Sequence, residues 1–540
     1  MQNAVSTATR VESGWKSAIT SRARIEAPTI PEWCAALATS ILLILSFPNF
    51  DLFPLAWLSL APLLVVIARR PAPARAFILG GVAGTVFFYG SCYWLTYSMI
   101  QYGGLSPWIA YLLLVPGVLI VGLFPALFAL GLGLAVKRWG PAAILLAPFF
   151  WTSLEWARLG VTGQLWNAIG YSQAYHPLLI QSARWGGVYA VGFLIVFVNA
   201  AISFAVVKKT RRAILAAAAI AVCVAAIAAG SLLIFNQPKH SGVPPFLSII
   251  ALQPNVPMNP IKTQQETQQL IERHLSMSSM ALHSLGNDPL PRLVIWPESP
   301  MNFTYAADSQ FQDLVARFTR DNHTSLLLNS QEPATGNGFY NSAVLINEEG
   351  RLISQYDKIR LLPFGEYVPL PRWLPGASLI TAIVGDFTPG DRYALMAVGG
   401  RLRAGVFICI ESAYPFIARR FTSEGADVLI NISNDGYLGP TAVMRQHLGN
   451  AIFRAVENGR PLLRVTNSGI TAFISANGEV RDQTRGFEPA VRTWTVNVSS
   501  NTDTFYTRHG DVFAGFCASF SLVVFVFTWR KLRRDFEGIR

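Results

Sequence analysis

Residues 402–411 read LRAGVFICIE: an apolar run closing on Val406, Phe407 and Ile408, then Cys409, then Glu411. A run of this length, apolar but for Arg403, reads as a strand. The run therefore places a thiol at the carboxyl end of a strand. Residues 292–298, RLVIWPE, repeat the pattern and end on Glu298. Working outward, further strands are expected at 247–252, 324–329, 340–347, 351–356, 427–432, 461–466, 470–475 and 490–497, with helices over 263–285, 412–424 and 441–459. Strands alternating with helices, with hairpins interspersed, imply a layered α/β domain. Ligands meet such sheets at the carboxyl ends of their strands, so Glu298 and Cys409 are expected to converge. Lys358 follows Tyr356-Asp357 and precedes the Pro/Gly-rich loop 362–369, which holds Glu366. Loops held on a rigid scaffold are where chemistry collects.

The rest of the chain has a different character. Of its 540 residues 52% are hydrophobic and only 14% charged, and the mean hydropathy is +0.37. Soluble domains usually carry about 25% charged residues. The apolar residues crowd into 33–235 and 512–529. Eight membrane spans are expected, near 33–48, 52–69, 76–98, 107–136, 141–158, 184–207, 213–235 and 512–529, from the roughly 20 apolar residues a helix needs to cross a bilayer. The net charge of +12 does not point to nucleic acid. Its basic residues cluster beside apolar segments: Arg69, Arg70 and Arg75; Lys137 and Arg138; Lys208, Lys209, Arg211 and Arg212; Arg530, Lys531, Arg533 and Arg534. That is the pattern of cytoplasmic membrane flanks. With the N-terminus in the cytoplasm, every odd connection is external, including the large domain. The expected divisions are a disordered cytoplasmic tail at 1–30, a membrane domain at 31–236, an extracytoplasmic catalytic domain at 237–510, an eighth span at 511–530 and a basic tail at 531–540.

Of five cysteines, Cys34, Cys92, Cys223 and Cys517 lie in apolar segments and read as small hydrophobes. Cys409 alone lies in the soluble region, so it has no partner there. A lone thiol in an oxidising compartment is either buried and inert or kept for reactivity. The residue types favour the second. Thiolate is the attacking species, a nearby carboxylate can remove the proton, and a lysine ammonium can stabilise a developing oxyanion. No histidine lies near Cys409 in sequence, no histidine pair has metal-ligand spacing, and neither a metal nor a cofactor is expected.

The motifs Trp296-Pro297-Glu298, Tyr356-Asp357-Lys358 followed by Leu362-Pro363-Phe364-Gly365-Glu366, and Ile408-Cys409-Ile410-Glu411 resemble those of the nitrilase (carbon–nitrogen hydrolase) superfamily. The spans narrow the resemblance to the apolipoprotein N-acyltransferase family. Glu155-Trp156, Gly170-Tyr171-Ser172-Gln173, Ile432-Ser433-Asn434-Asp435 and Arg460-Pro461-Leu462-Leu463-Arg464 also match, and the likeness extends over roughly 33–529. It implies an αββα sandwich with a Glu298, Lys358, Cys409 triad, supported by Glu366 and Glu411. It further implies a phospholipid acyl donor, a Cys409 thioester and a diacylglyceryl-modified lipoprotein acceptor. The setting implied is the bacterial inner membrane, with catalysis on the periplasmic side. Two positions depart from the family pattern: Ile410 after the nucleophile, and Gly436-Tyr437-Leu438 after Asp435. Phe364, Trp373 and Tyr437 are expected to belong to substrate loops, the first two in an apolar flap on the outer membrane surface. The alternatives are a membrane-tethered amidase with the same triad, or a transporter or scaffold that has lost catalysis.

Overall fold

The computed structural model describes residues 27–537, apart from 164, 236–245, 259–262, 287, 302, 335–337, 364, 368–386 and 498–502, with backbone alone at 228, 229, 231–235 and 531–537. Most of the expected N-terminal tail, and the loop positions Phe364 and Trp373, lie outside the described residues.

The apolar region is helical. Its main elements are α1 (Ile30–Ser46), α2 (Ala61–Arg69), α3 (Pro73–Ser91), α4 (Leu95–Gln101), α5 (Pro107–Trp139), α6 (Ala147–Thr162), α7 (Ala183–Lys208) and α8 (Arg211–Phe235). Among the described residues, four stretches are long and apolar enough to cross a membrane: Pro73–Ser91, Pro107–Trp139, Ala183–Lys208 and Val512–Arg530. Ile30–Ser46 and Phe53–Arg69 are apolar and shorter. Helices α3 and α5 approach closely because small residues line their contact. A Cβ at Gly80 would lie 2.5 Å from that of Ala129, and one at Gly84 2.6 Å from Pro125.

The soluble region forms two six-stranded sheets. The first has the order β12-β1-β2-β3-β4-β5, from Leu247–Gln253 (β1), Arg292–Ile295 (β2), Ser325–Pro333 (β3), Phe339–Ile346 (β4), Leu352–Asp357 (β5) and Ala490–Val496 (β12). The second has the order β11-β10-β9-β8-β7-β6, from Leu395–Val398 (β6), Leu402–Ile408 (β7), Val428–Ser433 (β8), Leu462–Thr466 (β9), Ala472–Ile474 (β10) and Val480–Arg481 (β11). Each sheet has a parallel centre, β1-β2-β3 and β7-β8-β9, with antiparallel strands outside it. Alternation along the strands separates two cores. Ile249, Ala251, Leu293 and Ile295 join the cluster of Val406, Phe407 and Ile408 of the second sheet. Ile250, Leu252, Val294 and Trp296 instead pack with Leu282 of α9 (Gln264–Ser284) and with Phe311, Val315 and Phe318 of α10 (Ser309–Asp321). Helices α11 (Pro415–Ser423) and α12 (Val443–Asn458) follow the second sheet, and α13 (Val512–Glu537) closes the chain.

Helix α12 fastens the two regions together. Gln446 accepts from the indoles of Trp94 (3.0 Å) and Trp166 (2.9 Å), and donates to the carbonyls of Pro48 (3.2 Å) and Ser91 (3.0 Å). Arg454 and Glu457 form a fully buried pair. Arg454 reaches the Ser412 carbonyl and the Tyr171 hydroxyl. Glu457 accepts the Val188 N–H at 2.9 Å, just past the break in α7 at Gly186 and Gly187.

Several elements differ from the sequence expectation. The third span, expected to reach residue 98, stops at Ser91, and the Trp94 indole donates to the Ser91 carbonyl freed there. The helix expected from 412 begins at Pro415, because Cys409–Ala413 form a 3-10 turn. Helix α10 was not foreseen, although Asp308 caps it by accepting from the Phe311 N–H at 2.9 Å. The outer strands β6 and β11 were also missed, being only four and two residues long.

Candidate active site

Glu298 stands beyond the end of β2, Lys358 one residue beyond β5, and Cys409 directly beyond β7. Glu298 and Lys358, from two of these strand ends, meet. The Lys358 ammonium lies 2.8 Å from Glu366 Oε1 and 3.5 Å from Glu298 Oε1. The lysine side chain is 1% exposed and that of Glu298 14%, so of the two it is the glutamate that remains partly accessible. Asn341, on β4, donates 3.0 Å to Glu298 and 2.6 Å to Glu366 from one amide nitrogen. Its own oxygen accepts from Asn329 at 2.7 Å. Glu366 is further fixed by the Leu362 N–H at 2.7 Å. Burial opposes the charge on Lys358, but Glu366, Glu298 and Cys409 outweigh it and hold the ammonium well above its ordinary range.

Cys409 has φ +52°, a left-handed conformation that is uncommon outside glycine. The turn is braced from behind. The Cys409 carbonyl lies 3.0 Å from His447 Nε2, and accepts from Asn431 at 3.3 Å. Glu411 ties the Cys409 turn to the lysine loop. One oxygen accepts the Ile408 N–H at 2.7 Å, and the other those of Ile359 (2.8 Å) and Arg360 (3.0 Å). The Tyr356 hydroxyl donates to it at 2.8 Å. Burial pushes the Glu411 carboxyl up to about 7, against the pull of those hydrogen bonds. Burial also raises the Cys409 thiol, Glu298 raises it further, and Lys358 pulls the other way; the net direction is upward. A raised pKa favours the thiol form, from which attack as a nucleophile would need a base.

Tyr437 lies on a 3-10 turn beyond Asp435, stacked on Tyr102 with centroids 5.4 Å apart. It faces the segment after α4 and makes none of the contacts that join Glu298, Lys358 and Glu366. Four participants escaped the sequence reading: Asn329, Asn341, Asn431 and His447. Asn341 and Asn431 are polar residues inside apolar strands, which is a legible signal. His447 is brought to Cys409 only by the packing of α12, across 38 residues of sequence.

The fold and cluster define a carbon–nitrogen hydrolase-type domain joined to an apolar helical region. Residues 253–504 match the Carbon-nitrogen hydrolase family, and residues 39–201 match the Apolipoprotein N-acyltransferase N-terminal domain. The apolipoprotein N-acyltransferase of Geobacter metallireducens is 33% identical over 93% of this chain and 96% of its own length. That of Sinorhizobium medicae is 30% identical over 81% of this chain and 85% of its own. Among solved structures, an amidase from Nesterenkonia sp. is similar at 18% identity, covering 51% of this chain and 99% of its own, with a TM-score of 0.37. The chain belongs to the apolipoprotein N-acyltransferase family.

Proposed function

We propose that this enzyme moves an acyl chain from a membrane phospholipid, through a thioester on Cys409, to the α-amino group of a diacylglyceryl-modified lipoprotein cysteine. The observation that carries the reading is the buried Lys358 ammonium held between Glu298 and Glu366, electrostatically coupled to Cys409 at its left-handed turn. Glu298 takes the thiol proton as Sγ attacks the ester carbonyl. The Lys358 ammonium stabilises the tetrahedral oxyanion. The carbon–oxygen bond breaks, the lysophospholipid leaves with the proton returned by Glu298, and the thioester remains. The lipoprotein amine then attacks that thioester, Glu298 receives the amine proton, and Cys409 departs as a thiolate that Glu298 reprotonates. Glu366 and Glu411 act through Lys358 and the nucleophile turn.

The setting proposed with this chemistry is a bacterial inner-membrane protein with eight spans. An αββα catalytic domain over 237–510 lies on the periplasmic side, between the membrane domain 31–236 and a last span at 511–530. Residues 1–30 and 531–540 are its cytoplasmic tails. The loop holding Phe364 and Trp373 serves as an apolar flap for the phospholipid tail, with Tyr437 on a second substrate loop. The basic flanks after the second, fourth and sixth expected spans support this orientation. A reporter active only outside the cytoplasm should work when fused near residue 300 and fail near 72 or 210; the reverse pattern would invert the arrangement. For the chemistry, intact-mass analysis after incubation with phospholipid should find one acyl group on Cys409. Release of free fatty acid with no acyl adduct at any time would leave hydrolysis as the better reading.

A further inference from the structure

His447 is 2% exposed and sits between two oxygens. Its Nδ1 lies 2.8 Å from Asp435 Oδ1, and its Nε2 lies 3.0 Å from the Cys409 carbonyl oxygen. A backbone carbonyl can only accept. Asp435 is held as a carboxylate: Arg464 Nη2 donates to both of its oxygens, at 3.0 and 2.8 Å. Burial alone would favour a neutral Asp435, yet Arg464 and His447 together hold its carboxyl well below the ordinary range. A neutral imidazole has one N–H. It would leave one of these two contacts with a lone pair facing a lone pair.

We infer that His447 is a positioning residue, held as an imidazolium, whose two N–H groups brace the Cys409 backbone and place a positive charge behind the nucleophile. The inference rests on Cys409 being the nucleophile. The surrounding charges agree with it. Glu298, Glu366 and Asp435 bring three negative charges to the cluster, and Lys358 and Arg464 two positive ones. An imidazolium offsets part of that negative excess, to which Glu411 can add, before the thiol ionises. Burial, first, and the Arg464 guanidinium pull the imidazole below its ordinary pKa more strongly than Asp435 and the Cys409 carbonyl push it up. Against that net direction stands the geometry: two fixed acceptors, each at hydrogen-bond distance from a different ring nitrogen. The groups facing His447 are Asp435 from the loop after β8, Arg464 from β9 and Cys409 from the turn after β7. The Trp166 ring, 5.5 Å away, covers it from the helical region without a charge of its own. Arg445 and Arg454 share its helix, and Arg454 is neutralised by Glu457.

The test uses the full-length protein in detergent, and its first readout needs no acyl donor. Alkylation of Cys409 by iodoacetamide is followed against pH on its proteolytic peptide. His447→Gln can still donate to the Cys409 carbonyl but cannot carry charge. It should shift the half-maximal pH of alkylation upward by about one unit, a roughly tenfold slower reaction at neutral pH. The lipid KM for thioester formation should not move. Superimposable alkylation profiles would overturn the inference and leave the acyl-transfer reading intact; absence of an acyl adduct in the parent would do the opposite. Should His447→Gln fail to fold, the ring ¹⁵N spectrum of the parent decides. With the other six of the seven histidines assigned by single substitution, His447 should show protons on both ring nitrogens. A single N–H would overturn the inference.

Discussion

Glu298, Asn341 and Lys358 all come from the first sheet, and in the proposed mechanism they handle a proton or hold a charge. The second sheet ends on Cys409, the proposed nucleophile, and turns its other polar residues on the backbone behind it. Asn431 from β8 and His447 from α12 hold the Cys409 carbonyl, and Arg464 from β9 holds Asp435, which holds His447. Both sheets have the same parallel centre and the same antiparallel margins. In the proposed mechanism like scaffolds thus carry unlike tasks: the first sheet sets charge at the reacting atoms, and the second, with the inferred His447 imidazolium, holds and backs the Cys409 turn. Glu411 is the exception that joins them, since it belongs to the second sheet and bonds to the N–H groups that follow Lys358 of the first.

Breaking the second sheet's contribution should have the largest effect. Cys409→Ala should form no acyl adduct by mass spectrometry and lose on the order of 10⁴-fold or more in turnover, as removal of a nucleophile does, while its melting temperature stays near the parent's. Substantial transfer by this variant would sink the assignment. On the first sheet, Lys358→Arg keeps the charge but replaces a compact ammonium with a planar fork. A loss of roughly 10³-fold in single-turnover thioester formation is expected, the scale of a removed oxyanion donor. Glu298→Gln keeps the shape and removes the base, and should slow the acylation step by about 10²-fold or more. If it acylates at the parent rate and fails only in transfer to the amine, the charge-setting role assigned to this sheet is wrong for the first step.

Asn341→Leu sharpens the comparison by removing the donor shared by two carboxylates. It should slow acylation by roughly tenfold and also cost about 1–3 kcal/mol in denaturant titration, the penalty for unsatisfied buried acceptors. The smallest effect on chemistry is expected outside both sheets. Gln446→Leu removes the side chain that joins Trp94, Trp166, Pro48 and Ser91. It should cost about 2–3 kcal/mol of stability with less than about threefold loss of rate in variants that remain folded. A rate loss as large as that of Lys358→Arg would mean that the helical region sets the site geometry directly.

The central strands were legible as strands because LRAGVFI and RLVI are largely apolar runs; which strands pair with which was not read from the sequence. Glu298, Lys358 and Cys409 stood out as charged or reactive residues at strand ends or beside a Pro/Gly-rich loop, whereas Glu366 and Glu411 came only from the resemblance of the motifs that hold them. What escaped was decided by packing at long range. The short outer strand at Leu395–Val398 carries too few residues to show a period. His447 sits in an amphipathic helix where a buried histidine looks like any core residue until its neighbours are known. The break after Ser91 was hidden because Cys92, Tyr93 and Trp94 continue an apolar stretch, and only the Trp94 indole turning back marks the end.

Gln446 and His447 are consecutive residues on α12, and therefore point about 100° apart around the helix. One grips the indoles and carbonyls of the helical region, and the other the carbonyl of the nucleophile. A single peptide unit thus separates the joint from the reaction centre. Such a catalyst is not a portable module that could be cut from its anchor and used in solution. Cutting it free would expose the Gln446 side of the very helix that aligns Cys409. Any effort to transplant the soluble region must bring Trp94 and Trp166 with it, or rebuild their surface on the new host.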